Sequence, residues 1–249
     1  RLYGSFFSLG IISGCITAYF LLKKDRRGWE SHMFDLGLVI AFAGIVGGRL
    51  WDVFFFDWEY YHNHLLEIPY IWQGGMAIQG GIIFACIAAY FYLKKHQIPV
   101  LPFADTVTPG IILGQAIGRI ANFMNGDAFG HPTGQDFGLL YPDTTLAYHT
   151  YGAQPLWPAE VWECQGDLLI FVLLLWYGCK TRAEGTTFCL YIMFYSLLRF
   201  FLENYRGDYG TLALGLKSAQ LTSLAAFAGA FILFLYFHFK HKSKSGISE

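Results

Sequence analysis

Seven stretches of roughly 20 apolar residues, separated by short polar loops, run through this chain, and they leave it few folds to adopt. As a helix rising 1.5 Å per residue, a stretch of that length crosses about 30 Å of hydrocarbon. Lipid offers no hydrogen bonds to the backbone, so each span must satisfy its own, which a helix does. The expected fold is an all-α integral membrane protein with about seven transmembrane helices. The spans are 3–22, 33–55, 71–93, 100–125, 158–177, 186–205 and 221–239. The fourth carries Pro109 and several glycines, the composition of a kinked or broken helix. Only 14% of the residues are charged and 55% are hydrophobic. A soluble domain carries about 25% charged residues, so the missing charge fits a solvent other than water.

The loops give the orientation. Lys23, Lys24, Arg26 and Arg27 follow the first span, Lys94 and Lys95 the third, and Lys180 and Arg182 the fifth. Lys240, Lys242 and Lys244 lie in the tail. The loops between hold Asp57, Glu59 and Glu67, then Asp127, Asp136 and Asp143, with no lysine or arginine in either. Positive loops stay in the cytoplasm, so the N-terminus is expected outside and the C-terminus inside. This makes residues 1–239 a single transmembrane domain and 240–249 a basic cytoplasmic tail. The extracytoplasmic loop at about 126–157 is the longest connection, and loops of that length are functional or disordered. No signal peptide precedes the first span, and an arginine at position 1 is expected of numbering that starts inside a longer chain.

The net charge of −1 offers no basic surface, so no nucleic-acid partner is expected. The five cysteines (Cys15, Cys86, Cys164, Cys179 and Cys189) are odd in number and lack CxxC spacing. They are expected to pack as small hydrophobes, with no disulfide, no metal and no cofactor.

Three arginines fall inside apolar spans: Arg49, Arg119 and Arg199. Charge at that depth costs a few to more than ten kcal/mol, so it marks a functional site by default. The plainer reading is a structural pair with Asp52, Asp105, Glu163, Asp167 or Glu203. Arg119 and Arg199 each lie six residues before the outer end of their span. Both therefore sit roughly 10 Å below the outer surface, placed to meet one anion. A lipid phosphate is the anion found near that level, and a guanidinium fork suits it. Asn122 shares a face with Arg119. Tyr195, Arg199, Glu203 and Arg206 share a face of the sixth span, and a helix-end salt-bridge ladder is the alternative there. In the third span two glycine pairs flank Gln79, a polar residue that needs a partner if buried.

These residues resemble the bacterial prolipoprotein diacylglyceryl transferases. The run 118–130 is similar to that family's signature G-R-x-G-N-F-x-N-x-E-x-x-G, matching at Arg119, Asn122, Phe123, Asn125 and Gly130. Tyr3-Gly4, Gly47-Gly48-Arg49 and the run 74–81 resemble further parts of the pattern. Glu163 resembles the end of a motif H-P-S-Q-L-Y-E, and Tyr195, Arg199, Glu203 and Arg206 the sixth-span pattern. The resemblance implies transfer of the diacylglyceryl group of phosphatidylglycerol to the lipobox cysteine of a prolipoprotein signal peptide, with glycerol phosphate leaving. It implies a multi-pass protein of the bacterial inner membrane, in contact with membrane lipid. Arg119 and Arg199 are then the expected catalytic residues. Tyr3, Arg49, Gln79, Asn122, Asn125, Asp127, Gly130, Glu163, Tyr195, Glu203 and Arg206 are the expected substrate-binding set.

The chain departs from the family at three places. Gln79 and Trp157 stand where the family usually has histidine, and Asp127 stands for the usual glutamate. Glutamine takes no proton at neutral pH. Either the histidine is not required as a base, or the lipid phosphate takes the thiol proton, or the chain is a weakened paralogue that binds lipid. Gln79 is expected to orient substrate. A transporter or flippase for anionic lipid is the reading from another class. It would need ionisable groups along the whole path, with Asp105 and Asp167 the candidates in the cytoplasmic half, and no internal repeat of the kind many transporters carry is visible.

Overall fold

The computed structural model describes residues 2–179, 183–207 and 215–245, without the side chains of residues 2, 3, 241 and 243–245. Lys180, Arg182 and the last four residues of the tail lie outside the described residues, as does the side chain of Tyr3. Nine helices are described: α1 Leu2–Asp25, α2 Met33–Trp51, α3 Trp58–Tyr61, α4 Ile78–Lys95, α5 Val100–Asn125, α6 Leu146–Tyr151, α7 Ala159–Gly178, α8 Thr186–Leu202 and α9 Ser218–Ser245. Among the described residues the β-pairing is confined to isolated bridges. Five segments are long and apolar enough to cross a membrane: 4–25, 29–56, 100–125, 186–205 and 218–240. α7 buries Glu160, Glu163 and Asp167 among its apolar residues. α4 is 18 residues long and ends on Lys94 and Lys95.

The chain divides into two compact units, residues 1–25 with 104–249, and residues 26–103. In the first, α1 lies against α5 along glycines. A Cβ on Gly14 would stand 2.7 Å from the carbonyl oxygen of Gly110, and one on Gly10 2.8 Å from that of Gly114. Small residues allow this backbone approach, the packing device available where lipid supplies no hydrophobic drive. Ile112, Ile170 and Leu174 form a core joining α5 and α7, and Leu190, Phe194 and Leu198 of α8 pack on it. α5 continues through Pro109 as one helix, so of the kink or break expected there the break does not occur. Pro109 has no N–H to give, which transmembrane helices tolerate. Asp105 instead caps α8: its carboxylate accepts from Gly185 N at 2.7 Å and Phe188 N at 2.8 Å.

The expected loop at 126–157 is folded. Phe129, Ala147 and Leu156 form a small core with Tyr141 and Tyr151 against it. Single antiparallel bridges join Gly130 to Arg206 and Leu156 to Pro132 and Leu139.

In the second unit, α2 packs along α4, with Gly47 against Gly80 and Phe84. α2 ends in a π-turn at Asp52–Phe56. The third span begins later than its hydropathy implies. Residues 71–73 form a 3₁₀ turn, and the α-helix starts at Ile78. The reason is Gly74 and Gly75, whose φ of 92° and 74° are left-handed conformations that end helical geometry.

Candidate active site

Three helices of the first unit bring their charges to one carboxylate. Arg119 lies one and a half turns before the end of α5, Glu163 one turn into α7, and Arg199 one turn before the end of α8. Glu163 is 1% exposed. Its Oε1 is 2.7 Å from Arg119 Nη2, and its Oε2 is 3.3 Å from Arg199 Nη1 and 3.7 Å from Arg206 Nη1. Arg119 of α5 thus engages one carboxylate oxygen and Arg199 of α8 the other. Arg119 and Arg199 converge on one anion, and in the structure it is the protein's own Glu163. This also satisfies the plainer reading of arginines paired with an acidic residue.

The surrounding groups hold this arrangement. Tyr195 donates to Glu163 Oε1 at 3.4 Å and accepts from Arg119 Nη2 at 3.4 Å. Arg199 Nη2 is 2.9 Å from Oε2 of the buried Glu203. Lys217 donates to the carbonyls of Glu203 at 2.8 Å and Arg206 at 2.6 Å, which ties the start of α9 to the end of α8. Buried charges cost free energy unless paired, and here each guanidinium has a carboxylate. Two arginine side chains still reach the surface: Arg119 is 20% exposed and Arg199 15%.

A second cluster caps α5. Asn122 donates to Asp127 Oδ1 at 2.8 Å and Asn125 to Oδ2 at 3.0 Å, while Asn122 Oδ1 accepts from Arg119 Nη1 at 3.3 Å. The shorter arm of Asp127 therefore reaches both amides. Gly126, at φ 68°, turns the chain back to allow this. Gly130 meets the backbone of Arg206, and a Cβ there would overlap the carbonyl oxygen of Trp157 and lie 2.7 Å from its Cβ. Only hydrogen fits.

Arg49 and Gln79 belong to the second unit. Arg49 is 3% exposed, and every nitrogen of its guanidinium is used. Nε donates to Ile68 O at 2.7 Å, Nη1 to Gly74 O at 2.7 Å and Gly75 O at 2.9 Å, and Nη2 to Glu67 O at 3.2 Å and Tyr70 O at 3.5 Å. Tyr61 stacks on it with its centroid at 5.0 Å, and Asp52 lies at 3.8 Å. These contacts make Arg49 the clasp of the 67–75 loop, with no donor left for a phosphate. Gln79 is exposed in the first turn of α4 and makes no hydrogen bond with the described residues.

Three charged residues of this region carry no sequence expectation as site residues. Lys217 reads as a loop cation and is a tether. Glu160 and Asp167 are fully buried, and their carboxylate oxygens accept no hydrogen bond from the described residues. Their signal is spacing: 160, 163 and 167 share one face of α7.

The sequence profile of the prolipoprotein diacylglyceryl transferase family matches residues 1–236. The chain is similar to three relatives, each named phosphatidylglycerol–prolipoprotein diacylglyceryl transferase. The Staphylococcus saprophyticus protein is 36% identical over 228 residues, covering 90% of this chain and 80% of the relative. The Geobacillus kaustophilus protein is 36% identical over 225 residues, covering 89% and 82%. The Finegoldia magna protein is 36% identical over 233 residues, covering 93% and 88%.

Proposed function

The chain belongs to the prolipoprotein diacylglyceryl transferase family, and from that premise we propose that it moves the diacylglyceryl group of phosphatidylglycerol to the lipobox cysteine thiol of a prolipoprotein. The observation that carries the reading is the pair of partly exposed arginines on Glu163. Arg119 and Arg199 are each held by Glu163, yet 20% and 15% of their side-chain surface stays exposed, and their guanidiniums are fixed donors. A lipid phosphodiester docks against those donors. Glu163, Glu203 and Tyr195 fix the spacing of the arginines, and Asp127 orients Asn122 and Asn125 beside them.

The reaction is a displacement at carbon. The thiol loses its proton, the sulfur attacks the glyceryl carbon bonded to the phosphate oxygen, and the C–S bond forms as the C–O bond breaks. The electron pair leaves on the phosphate as glycerol phosphate. Negative charge grows on that phosphate, and Arg119 and Arg199 stabilise it in a site with little water. Gln79 orients substrate, and Arg49 holds the loop that leads to it. Gly130 and Arg206 keep the outer loop closed on the end of α8.

With α4 and α7 added to the five apolar segments, the chain crosses the bacterial inner membrane seven times, N-terminus outside and C-terminus inside. Residues 1–239 are then one catalytic domain, 126–157 its extracytoplasmic loop, and 240–249 a basic cytoplasmic tail. The use of Asp105 as a helix cap weighs against lipid transport, which requires a titratable path through that half.

The test is a mass assay in liposomes with phosphatidylglycerol and a lipobox peptide. Wild-type protein adds a diacylglyceryl mass to the cysteine, and Arg119→Ala and Arg199→Ala abolish the gain. A folded wild type that adds no mass overturns the reading.

A further inference from the structure

The thiol proton needs an acceptor, and Gln79 cannot be one. The carboxylates around the arginines are committed. Glu163 and Glu203 face guanidiniums, and Asp127 holds two amides. Glu160 and Asp167 have no exposed surface for an incoming thiol to reach.

Resting on the transferase reading, we propose that His131 accepts this proton. Its Nδ1 is 2.9 Å from the carbonyl oxygen of Pro132. A carbonyl only accepts, so Nδ1 carries the hydrogen, and the neutral ring presents Nε2 as a lone-pair base. Nε2 takes no hydrogen bond from the described residues. The ring is half-buried, edge-on to Trp157 at 6.5 Å.

The backbone of His131 is held on both sides. Its N–H donates to Tyr205 O at 2.9 Å, and its carbonyl accepts from Trp157 N at 3.0 Å. Its neighbour Gly130 bridges to Arg206, whose guanidinium faces Glu163. This base therefore lies in the segment bridged to Arg206, on the outer side from which a secreted peptide arrives. The titratable and charged groups on the elements packed around it include Glu160, Glu163 and Asp167 on α7, Glu203, Tyr205 and Arg206 beyond α8, and Asp127, Asp136, Asp143 and His149 in its own loop. None of them contacts the imidazole. Of the other histidines in these loops, His149 is exposed on α6, His62 spends both ring nitrogens on Trp58 O and Asn63 Nδ2, and His64 stacks on Tyr60 at 4.3 Å.

In the step, the S–H proton moves to Nε2, giving an imidazolium and a thiolate. The thiolate forms the C–S bond, and glycerol phosphate leaves with the C–O electron pair. The imidazolium then returns its proton to water.

The experiment compares wild type, His131→Asn and His131→Ala in phosphatidylglycerol liposomes with a lipobox peptide, across pH. Asparagine keeps a donor for Pro132 O and removes the base. Both variants should slow transfer near neutral pH by about 100-fold or more with the KM for phosphatidylglycerol unchanged. The loss should shrink as the pH nears about 8.5, where a thiol ionises unaided. Added imidazole should restore His131→Ala. Variants within about threefold of wild type, or a loss that is equal at every pH and unmoved by imidazole, overturn the assignment of the base alone. A folded wild type that transfers nothing overturns the transferase reading and the base with it.

Discussion

Glu163 Oε1 sits 2.7 Å from Arg119 Nη2, a contact between a buried carboxylate and an arginine side chain that remains 20% exposed. The pair is asymmetric in a useful way. The carboxylate is sealed in the protein, and the arginine side chain keeps a fifth of its surface open.

Glu163→Gln keeps the shape and removes the charge. Arg119, Arg199 and Arg206 would then repel one another around a neutral amide. Breaking a buried ion pair costs about 3–5 kcal/mol, and the partial exposure of two arginines puts the expected loss near ~3 kcal/mol. Transfer should fall by about 100-fold or more as the arginines lose their spacing. Thermal unfolding in detergent, read beside the mass assay, checks both. A variant as stable as wild type would mean that the arginines do not depend on Glu163.

Arg199→Lys separates charge from geometry. Arg199 bonds Glu163 through Nη1 and Glu203 through Nη2, a two-armed contact that an ammonium cannot reproduce while also facing a phosphate. The rate should drop by roughly 10²–10³, the loss typical of one transition-state donor. A lysine variant with wild-type kcat would show that positive charge alone suffices.

How far the site was legible in the sequence varies by residue, for physical reasons. Depth is readable, because a residue's distance from a helix end is a count of turns. That count places Arg119 and Arg199 at one level. The anion they meet is not readable, because nothing in spacing says which helix packs opposite. Within the protein that anion is Glu163, from α7. Arg49 shows the limit more sharply. Its acceptors are backbone carbonyls of Glu67, Ile68, Tyr70, Gly74 and Gly75, and a carbonyl has no sequence signature. The glycines at 74 and 75 resemble packing residues of a helix, yet their positive φ delays α4 until Ile78. The end of α5 at Asn125 is legible, since Gly126 stops the helix.

Arg49→Lys should therefore damage the fold of the 67–75 loop rather than lipid affinity. Lysine replaces five directed donors with three on a single atom, and hydrogen bonds to charged groups are worth about 1.5–3 kcal/mol each. A destabilisation of about 2 kcal/mol or more is expected. The KM for phosphatidylglycerol should stay within about twofold in the protein that remains folded. A tenfold rise in that KM with an unchanged melting midpoint would identify Arg49 as a lipid ligand instead.

Asp127→Asn probes the amide cluster at the end of α5. Asp127 accepts from Asn122 and Asn125, one amide on each oxygen. An asparagine offers one accepting oxygen, and its NH₂ would oppose the NH₂ of Asn122 or Asn125. One of the two must turn away. Asn122 is the consequential one, because its Oδ1 accepts from Arg119 Nη1 and helps aim that guanidinium. Asp127 is half-buried, so water can replace one lost bond, and the stability cost should stay near ~1 kcal/mol. Transfer should suffer more than stability, by about tenfold, with the loss in kcat rather than in KM. Asp127→Glu extends the arm by one methylene and should recover part of the rate, since both oxygens remain acceptors. If Asp127→Asn loses stability and leaves kcat intact, the cluster caps the helix and takes no part in aiming Arg119.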